Sequence, residues 1–518
     1  MKMELKLSSI FISVLIVGLI TWAVRILNWV WFRPKKLEKL LRKQGLKGNP
    51  YRLLLGDMKA LISVTKEEQA KSIQLSDHLP PHILPYYHQI IDEYGQNSFI
   101  WFGPFPRLNI ADPQLMKEIL TKPEVFHKPL PDPVGETIAG GLLFLEDEKW
   151  LNTEKSSTRL SYGEVEVYWQ SLSCSNMVEK WESMFSRSER SLEIDVWPHL
   201  ESLSGDVISR TAFGSSHEEG RRIFELHKEQ VKLVLELMKF FFIPGWRFVP
   251  TKVNRRMRAI SKEIQSLLTG IINQREKEME RGEAVGDDLL STLMESNLKE
   301  IEEHGGKKKN VGMNIEEVIN ECKLFYFAGS ETTSLLLVWT MVMLSKHQEW
   351  QVRAREEVLQ VFGKNEPTFD GLNRLKVLTM ILHEVLRLYP PVPLIARAPT
   401  KTLKLGNITL PVGVSLMLLI GLLHHDPEIW GDDVNEFKPE RFSEGISSAT
   451  KGQFSFLPFS AGPRVCVGQQ FAIMEAKLAL VMILQKFSFE LSSSYLHAPF
   501  PILTLQPQYG AALILHKL

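Results

Sequence analysis

"FLPFSAGPRVCVG", residues 456–468, decides how the whole chain is read. It holds Cys466, one of three cysteines in 518 residues, with Gly462 and Gly468 on either side, Arg464 just before it and Phe459 upstream. A lone cysteine is usually a small buried hydrophobe. Taken alone that reading would win, and the alternative to weigh against it is a metal ligand. Cys174 and Cys322 are distant and no C-x-x-C occurs, so a disulfide framework or a structural zinc site is not supported. A metal at Cys466 would take one thiolate, and the main such case is haem iron with an axial cysteine, where the thiolate favours O–O cleavage. In that setting Gly462 and Gly468 let the backbone approach a porphyrin face and aim amide N–H groups at the sulfur. Arg464 pairs with a propionate, and Phe459 shields the sulfur.

The composition is that of an ordinary folded protein, 44% apolar and 24% charged. Lys+Arg and Asp+Glu both number 61, so no overall basic field points to nucleic acid. The N-terminus departs from this average. "SSIFISVLIVGLITWAV" (8–24) carries no charge, and apolar character resumes after Arg25 as "ILNWVWF". The span to Phe32 is about 25 residues, enough to cross a bilayer about 30 Å thick. Its length, and the cluster of Trp29, Trp31, Arg33, Lys35 and Lys36 at its end, fit a retained anchor rather than a cleaved signal peptide. The excess of positive charge after the span puts the body in the cytosol. The expected organisation is an anchor over 1–32, a basic linker over 33–57 whose Gly-Asn-Pro hinge ends its helix, and one folded body over 58–518.

Residues 58–300 read as mostly helical, broken by Pro-rich turns such as "LPPHILPYY" and "HKPLPDPVG". "ELMKFFFIPGWRFVPTK" (236–252) is read either as core or as an apolar loop resting on the membrane. Asn314, with Glu317 three residues on, opens a long helix to about His347 with a capping box. From Leu324 onward that helix is apolar almost all round and belongs in the core. Yet "AGSETT" (328–333) sits in its middle, where glycine costs up to about 1 kcal/mol against alanine and a buried carboxylate needs a partner. A polar stripe meeting solvent is the plain alternative. Further on, "LTMILHEVLRLYPPVPLIAR" (378–397) is a helix stopped by Pro390-Pro391, and 401–423 reads as two or three short strands. "EFKPERF" (436–442) is irregular, and 468–491 is an amphipathic helix. The expected fold class is mainly α with a small β component. No GxGxxG follows a strand and no GxxxxGK[ST] occurs, so nucleotide folds are not supported.

These residues resemble one family. Phe459-x-x-Gly462-x-Arg464-x-Cys466-x-Gly468 matches, at all five fixed positions, the haem-binding loop of the cytochrome P-450 monooxygenases. Glu384-Val-Leu-Arg387 resembles that family's E-x-x-R, with Arg441 of "PERF" as its third member; alone, the first two would be a surface pair worth roughly a few tenths of a kcal/mol. "AGSETT" resembles the family's oxygen-activation motif. The resemblance implies a cytochrome P-450 fold with an N-terminal transmembrane helix and haem b with Cys466 as axial iron ligand. It also implies haem contacts from Trp150, Ala328, Gly329, Arg397, Phe459, Gly462, Arg464 and Gly468. Glu331 and Thr332 are the implied catalytic pair, relaying protons to dioxygen, with Gly329 opening a groove for it. Glu384, Arg387 and Arg441 are implied to lock the scaffold on the thiolate side. Similarity to the plant branch that includes secologanin synthase covers nearly the whole chain, for instance in "AREEVLQVFG" and "APFPILTLQPQYGAALILHKL". That branch implies a terpenoid substrate (iridoid, triterpenoid or gibberellin-like), O2 as co-substrate, and electrons from NADPH through NADPH-cytochrome P-450 reductase. It further implies the endoplasmic reticulum membrane, with the catalytic domain facing the cytosol.

One stretch departs from the family pattern. Trp150 is present, but Glu154 stands where the family places an arginine, with Lys155 as the nearest replacement. An acid there would repel a propionate. Codons for residues 158–167 can be chosen so that the next frame spells Pro-Ala-Phe-His-Thr-Glu-Lys-Leu-Lys-Phe, close to what this branch carries at that point. The expectation is a double frameshift or misplaced splice sites across about 151–171. If the segment is genuine, the alternative is a non-catalytic haem or terpenoid binder.

Overall fold

The computed structural model describes all residues except 1, 72, 76–77, 130–139, 148, 152–163, 187–189, 215–216, 238–239, 241–242, 244, 282–287 and 296–312. Its axis is the central helix Ile315–Lys346. Asn314 and Glu317 form both halves of the expected capping box, the Asn314 side chain accepting from the Glu317 amide and the Glu317 carboxylate from the Asn314 amide. The first half of this helix packs Val318, Ile319, Cys322 and Tyr326 against Ile208, Phe213, Ile260 and Leu268. Its second half, from Leu335 to Leu344, lies in the largest core cluster with Leu382, Val385 and Leu480. Apolar side chains all round the helix follow from this cover on every side.

A six-stranded sheet flanks the helical body. Its order is Lys47–Gly48, Ser98–Phe102, Phe105–Ile110, Ser415–Leu418, Ile395–Pro399, Phe126–His127. The hairpin Ser98–Phe102/Phe105–Ile110 was not singled out within the mostly helical stretch 58–300. Ser98, Phe99, Ile100 and Trp101 are buried in succession, so the strand lacks the alternation that marks a half-exposed one. A second missed strand, Ser191–Asp195, pairs with Ala512–Lys517 near the far end of the chain. Within 401–423 the expected strands are Leu403–Leu405, Ile408–Leu410 and Ser415–Leu418. Lys376–Leu388 ends at Tyr389, one residue before Pro390. Gln469–Lys486 is helical, but it is a core helix rather than an amphipathic one, buried without a break from Glu475 to Val481. Its expected last turn is instead the strand Phe487–Leu491, paired with Leu513–Lys517.

At the N-terminus, Lys2–Leu27 continues through a π-turn, Asn28–Phe32, into Arg33–Lys43. The stretch Phe11–Lys43 is long and apolar enough to cross a membrane, and its most apolar window is not covered by the protein. The basic segment that follows packs on the body. Leu37 and Leu41 are buried with Leu46, Tyr51 and Trp101, and the Tyr51 hydroxyl donates to the Val30 carbonyl at 2.7 Å. The helix stops at Gln44, before Gly45 with φ of 85°, not at Gly48-Asn49-Pro50. Gly48 serves another purpose, because a Cβ there would lie 2.2 Å from the Phe99 carbonyl oxygen of the paired strand. In 236–252, Trp246 stacks on Phe240 at 4.2 Å and joins a small cluster with Leu237 and Met257, while Phe248 and Val249 are exposed.

Candidate functional site

The cysteine loop is a tight hairpin-like turn. Ser460 and Gly462 have φ of 61° and 72°, and the Cys466 amide donates to the Phe459 carbonyl at 2.9 Å. The Gln469 amide then donates to the Cys466 carbonyl, starting the helix Gln469–Lys486. Cys466 is exposed, yet protein atoms crowd around its sulfur. That crowding pushes its thiol up, while the Gly468 amide and Lys128 pull it down. The amide aimed at sulfur is therefore that of Gly468. Gly462 is also required by the packing of the loop. A Cβ there would lie 2.2 Å from the Leu120 carbonyl oxygen, so the glycine lets the loop close on the end of the helix Pro113–Leu120.

Beside the thiol is a cluster of cations. The Arg464 guanidinium lies over the Trp150 ring at 4.1 Å and pairs with Glu146. Glu146 also accepts the Lys128 backbone amide at 2.9 Å. Burial first, then Arg397 and Arg464, bring the Lys128 ammonium down to about 7. Burial and Arg464 bring Arg397 down to about 10. Arg464 pairs with the Glu146 carboxylate and Lys128 and Arg397 lie within its electrostatic reach, and the thiol is close enough to Lys128 for each to shift the other. This donor set fits haem b, whose thiolate-bound iron and two propionates would answer the cysteine and the excess positive charge. Sequence reading missed Lys128 and Glu146, which sit in no recognisable motif. Glu154 and Lys155 lie outside the described residues.

Behind the loop, Glu384 and Arg387 are fully buried and joined by two parallel bonds of 2.8 Å. Arg387 also donates to the carbonyls of His424, Val434 and Glu436. Glu384 accepts the Lys438 amide at 3.0 Å and has Arg441 Nε at 3.6 Å. Arg441 is held by Asp433 and the Trp430 carbonyl. His424, which sequence reading did not single out, joins this cluster to the cysteine loop. Its carbonyl accepts from Arg387, its Nε2 accepts the Leu457 amide at 2.9 Å, and its ring stacks on Phe456.

On the central helix, Thr332 Oγ1 donates to the Ala328 carbonyl at 2.7 Å, one turn back. Ala328 is exposed although it lies mid-helix. Gly329 faces the helix Trp197–Phe213, where a Cβ would meet Ile208 Cδ1 at 2.8 Å. On that side the glycine serves helix packing. The Glu331 carboxyl accepts from Thr504 and Gln506, and burial raises it above the usual carboxylate range.

The cytochrome P450 family model matches residues 72–510, most of the chain. The chain belongs to the cytochrome P450 family. Cytochrome P450 CYP72A219 of Panax ginseng is 53% identical over 525 residues, covering 100% of both chains. Cytochrome P450 72A397 of Kalopanax septemlobus is 54% identical over 503 residues, 96% of each. The 7-deoxyloganic acid hydroxylase of Catharanthus roseus is 52% identical over 523 residues, again 100% of each. The protein is thus a cytochrome P450 monooxygenase related to these plant enzymes. A P450 works with haem, dioxygen, a reductase partner and a small-molecule substrate.

Proposed function

We propose that this cytochrome P450 hydroxylates a C–H bond of a plant terpenoid of the iridoid, triterpenoid or gibberellin-like classes. The observation that carries the reading is the Cys466 thiol set beside Lys128, Arg397 and Arg464, with the Glu146 carboxylate paired to Arg464. When bound, haem b supplies dioxygen activation, one oxygen atom entering the substrate and the other leaving as water. Cys466 would hold its iron, and the Gly468 amide would favour the thiolate form. Arg397, Arg464 and Lys128 would take the propionates, with Trp150 keeping the Arg464 plane fixed. Phe459 fixes the loop through its carbonyl, and Glu384, Arg387 and Arg441 hold the scaffold behind it.

Glu331 and Thr332 are the proton pair of this reading. Burial keeps a proton on Glu331 at higher pH than on an ordinary glutamate, and Thr332 supplies a hydroxyl one position on. Electrons come from NADPH through NADPH-cytochrome P450 reductase. The body, about 58–518, faces the cytosol from the endoplasmic reticulum membrane, anchored by the apolar N-terminal span of residues 1–32, with 33–57 joining the two. A 7-deoxyloganic acid hydroxylase among the relatives supports an iridoid acid as the first probe. Glu154, at the family's arginine position, supports the second reading, a haem or terpenoid binder without turnover.

The test is turnover in microsomes carrying the chain and a plant reductase, offered 7-deoxyloganic acid, a triterpenoid acid and a gibberellin precursor. An oxidised product from any of them is the expected result. A substrate-induced haem spectral change without product favours the second reading. Neither binding nor product with all three probes overturns the terpenoid assignment.

A further inference from the structure

Glu331 Oε1 accepts from Gln506 Nε2 at 2.6 Å and from Thr504 Oγ1 at 3.0 Å. Both donors come from one C-terminal hairpin, Pro499–Pro501 paired with Leu505–Pro507. Leu505, between them, is fully buried. Its carbonyl accepts from Trp339 Nε1 at 2.9 Å, and its amide donates to the Pro391 carbonyl at 3.0 Å. Trp339 stands about two turns beyond Glu331 on the same helix. The hairpin backbone is therefore fixed to the central helix at Leu505. Alternation along an extended chain then sends Thr504 and Gln506 to one side, towards Glu331. The other charged groups near the carboxyl are Glu201 on the helix Trp197–Phe213 and Lys228 on the helix His217–Leu237, which pair with each other. Burial and Glu201 raise the carboxyl's hold on its proton, while both hairpin bonds and Lys228 lower it.

We propose that Gln506 and Thr504 are positioning residues that hold the Glu331 carboxyl for proton delivery. Two donors on Oε1 fix the rotamer of the acid, and Oε2 stays outside this pair of bonds. Proton transfer rewards a donor held in one geometry. The role rests on the assignment of Glu331 as proton donor given above.

The test uses the full-length, haem-loaded chain with a plant reductase, as wild type, Gln506→Ala, Thr504→Val, Thr504→Ser and Glu331→Gln. The infrared band of the Glu331 carboxyl, recognised by its loss in Glu331→Gln, reports the hydrogen bonds without turnover. The share of NADPH recovered as product rather than peroxide, with 7-deoxyloganic acid as probe, reports proton delivery. In Gln506→Ala the band shifts and coupling falls about tenfold. Thr504→Val moves both in the same direction by less, and Thr504→Ser matches wild type. In the Glu331→Gln background, Gln506→Ala adds nothing further.

An unshifted band in Gln506→Ala overturns the proposal, and so does unchanged coupling beside a shifted band. If 7-deoxyloganic acid is not oxidised, the band decides alone. Should Glu331→Gln itself keep full coupling, the assignment of Glu331 falls and the positioning role with it. Should Glu331→Gln uncouple and Gln506→Ala not, only the positioning role falls. If Gln506→Ala does not bind haem, the same band and coupling measurements on Thr504→Val against Thr504→Ser decide in its place.

Discussion

Arg387 is fully buried and gives its guanidinium hydrogens to one carboxylate and three backbone carbonyls. Lysine cannot reproduce that fork. Arg387→Lys, like Glu384→Gln, leaves buried polar groups without partners, and breaking a buried pair from one side costs about 3–5 kcal/mol. Urea unfolding of the purified chain should show that loss together with poor haem retention; a shift under about 1 kcal/mol, the surface-pair range, would contradict it. Thr332→Ala has the opposite profile. It removes a hydroxyl that, among the described residues, bonds only within its own helix turn, so stability should barely change while peroxide release per NADPH rises several-fold; fully coupled turnover would remove Thr332 from the relay. Cys466 and the Glu384–Arg387 pair were legible in the sequence because each is a local pattern with fixed spacing. Lys128, Glu146, His424 and Gln506 were not, since each becomes meaningful only through a partner brought from elsewhere in the chain.

Among the elements, the cysteine loop depends on Gly462 for two reasons that add. Its φ of 72° and the Leu120 carbonyl 2.2 Å from any Cβ both exclude a side chain. Gly462→Ala should cost about 1–3 kcal/mol and reduce haem incorporation, read by haem content per chain. At Gly329 the obstacle is a side chain rather than backbone, Ile208 Cδ1 at 2.8 Å and Cγ1 at 2.9 Å, so Gly329→Ala should be milder, and its cost should be less than additive with that of Ile208→Ala, which removes both atoms. Equal damage at the two glycines would contradict this distinction. The central helix was legible to its capping box, because a long apolar run with an Asn-x-x-Glu start is strong local information. Strand Ser98–Phe102 was not read, and the helix Gln469–Lys486 was read as a helix but not as a core one, nor its end at Lys486, since burial on every side erases the period that marks an exposed face. The anchor's junction also depends on tertiary packing. Removing residues 1–27 should leave a stable body, whereas removing 1–43 takes away the buried Leu37 and Leu41 and should lower its melting temperature.

For the whole molecule, several buried ionisable groups set how stability follows pH. His424 is held neutral by burial, down to about 3 against an ordinary 6.5, and His383 and His227 down to about 4. Between those values the unfolded chain binds protons that the fold refuses, so stability falls as pH drops below about 6.5. Glu475 and Glu321 run the other way, raised to about 8 and about 7 from an ordinary 4.5. There the fold holds protons that the unfolded chain releases, so stability declines as pH rises from 4.5 to 8, until both states are ionised. His425 is held neutral by burial as well, so the histidines outweigh the two acids on the acid side: the melting temperature should fall as pH drops from 6.5 towards 4.5, and Glu475→Gln should steepen that fall. A flat profile from pH 4 to 8 would contradict this. The central claim is haem held through Cys466, and the reduced, carbon-monoxide-bound difference spectrum of the full chain tests it most directly. The account predicts a thiolate-type Soret band in the wild-type chain and its loss in Cys466→Ser. A wild-type chain without that band, or a Cys466→Ser chain that keeps it, would contradict the account.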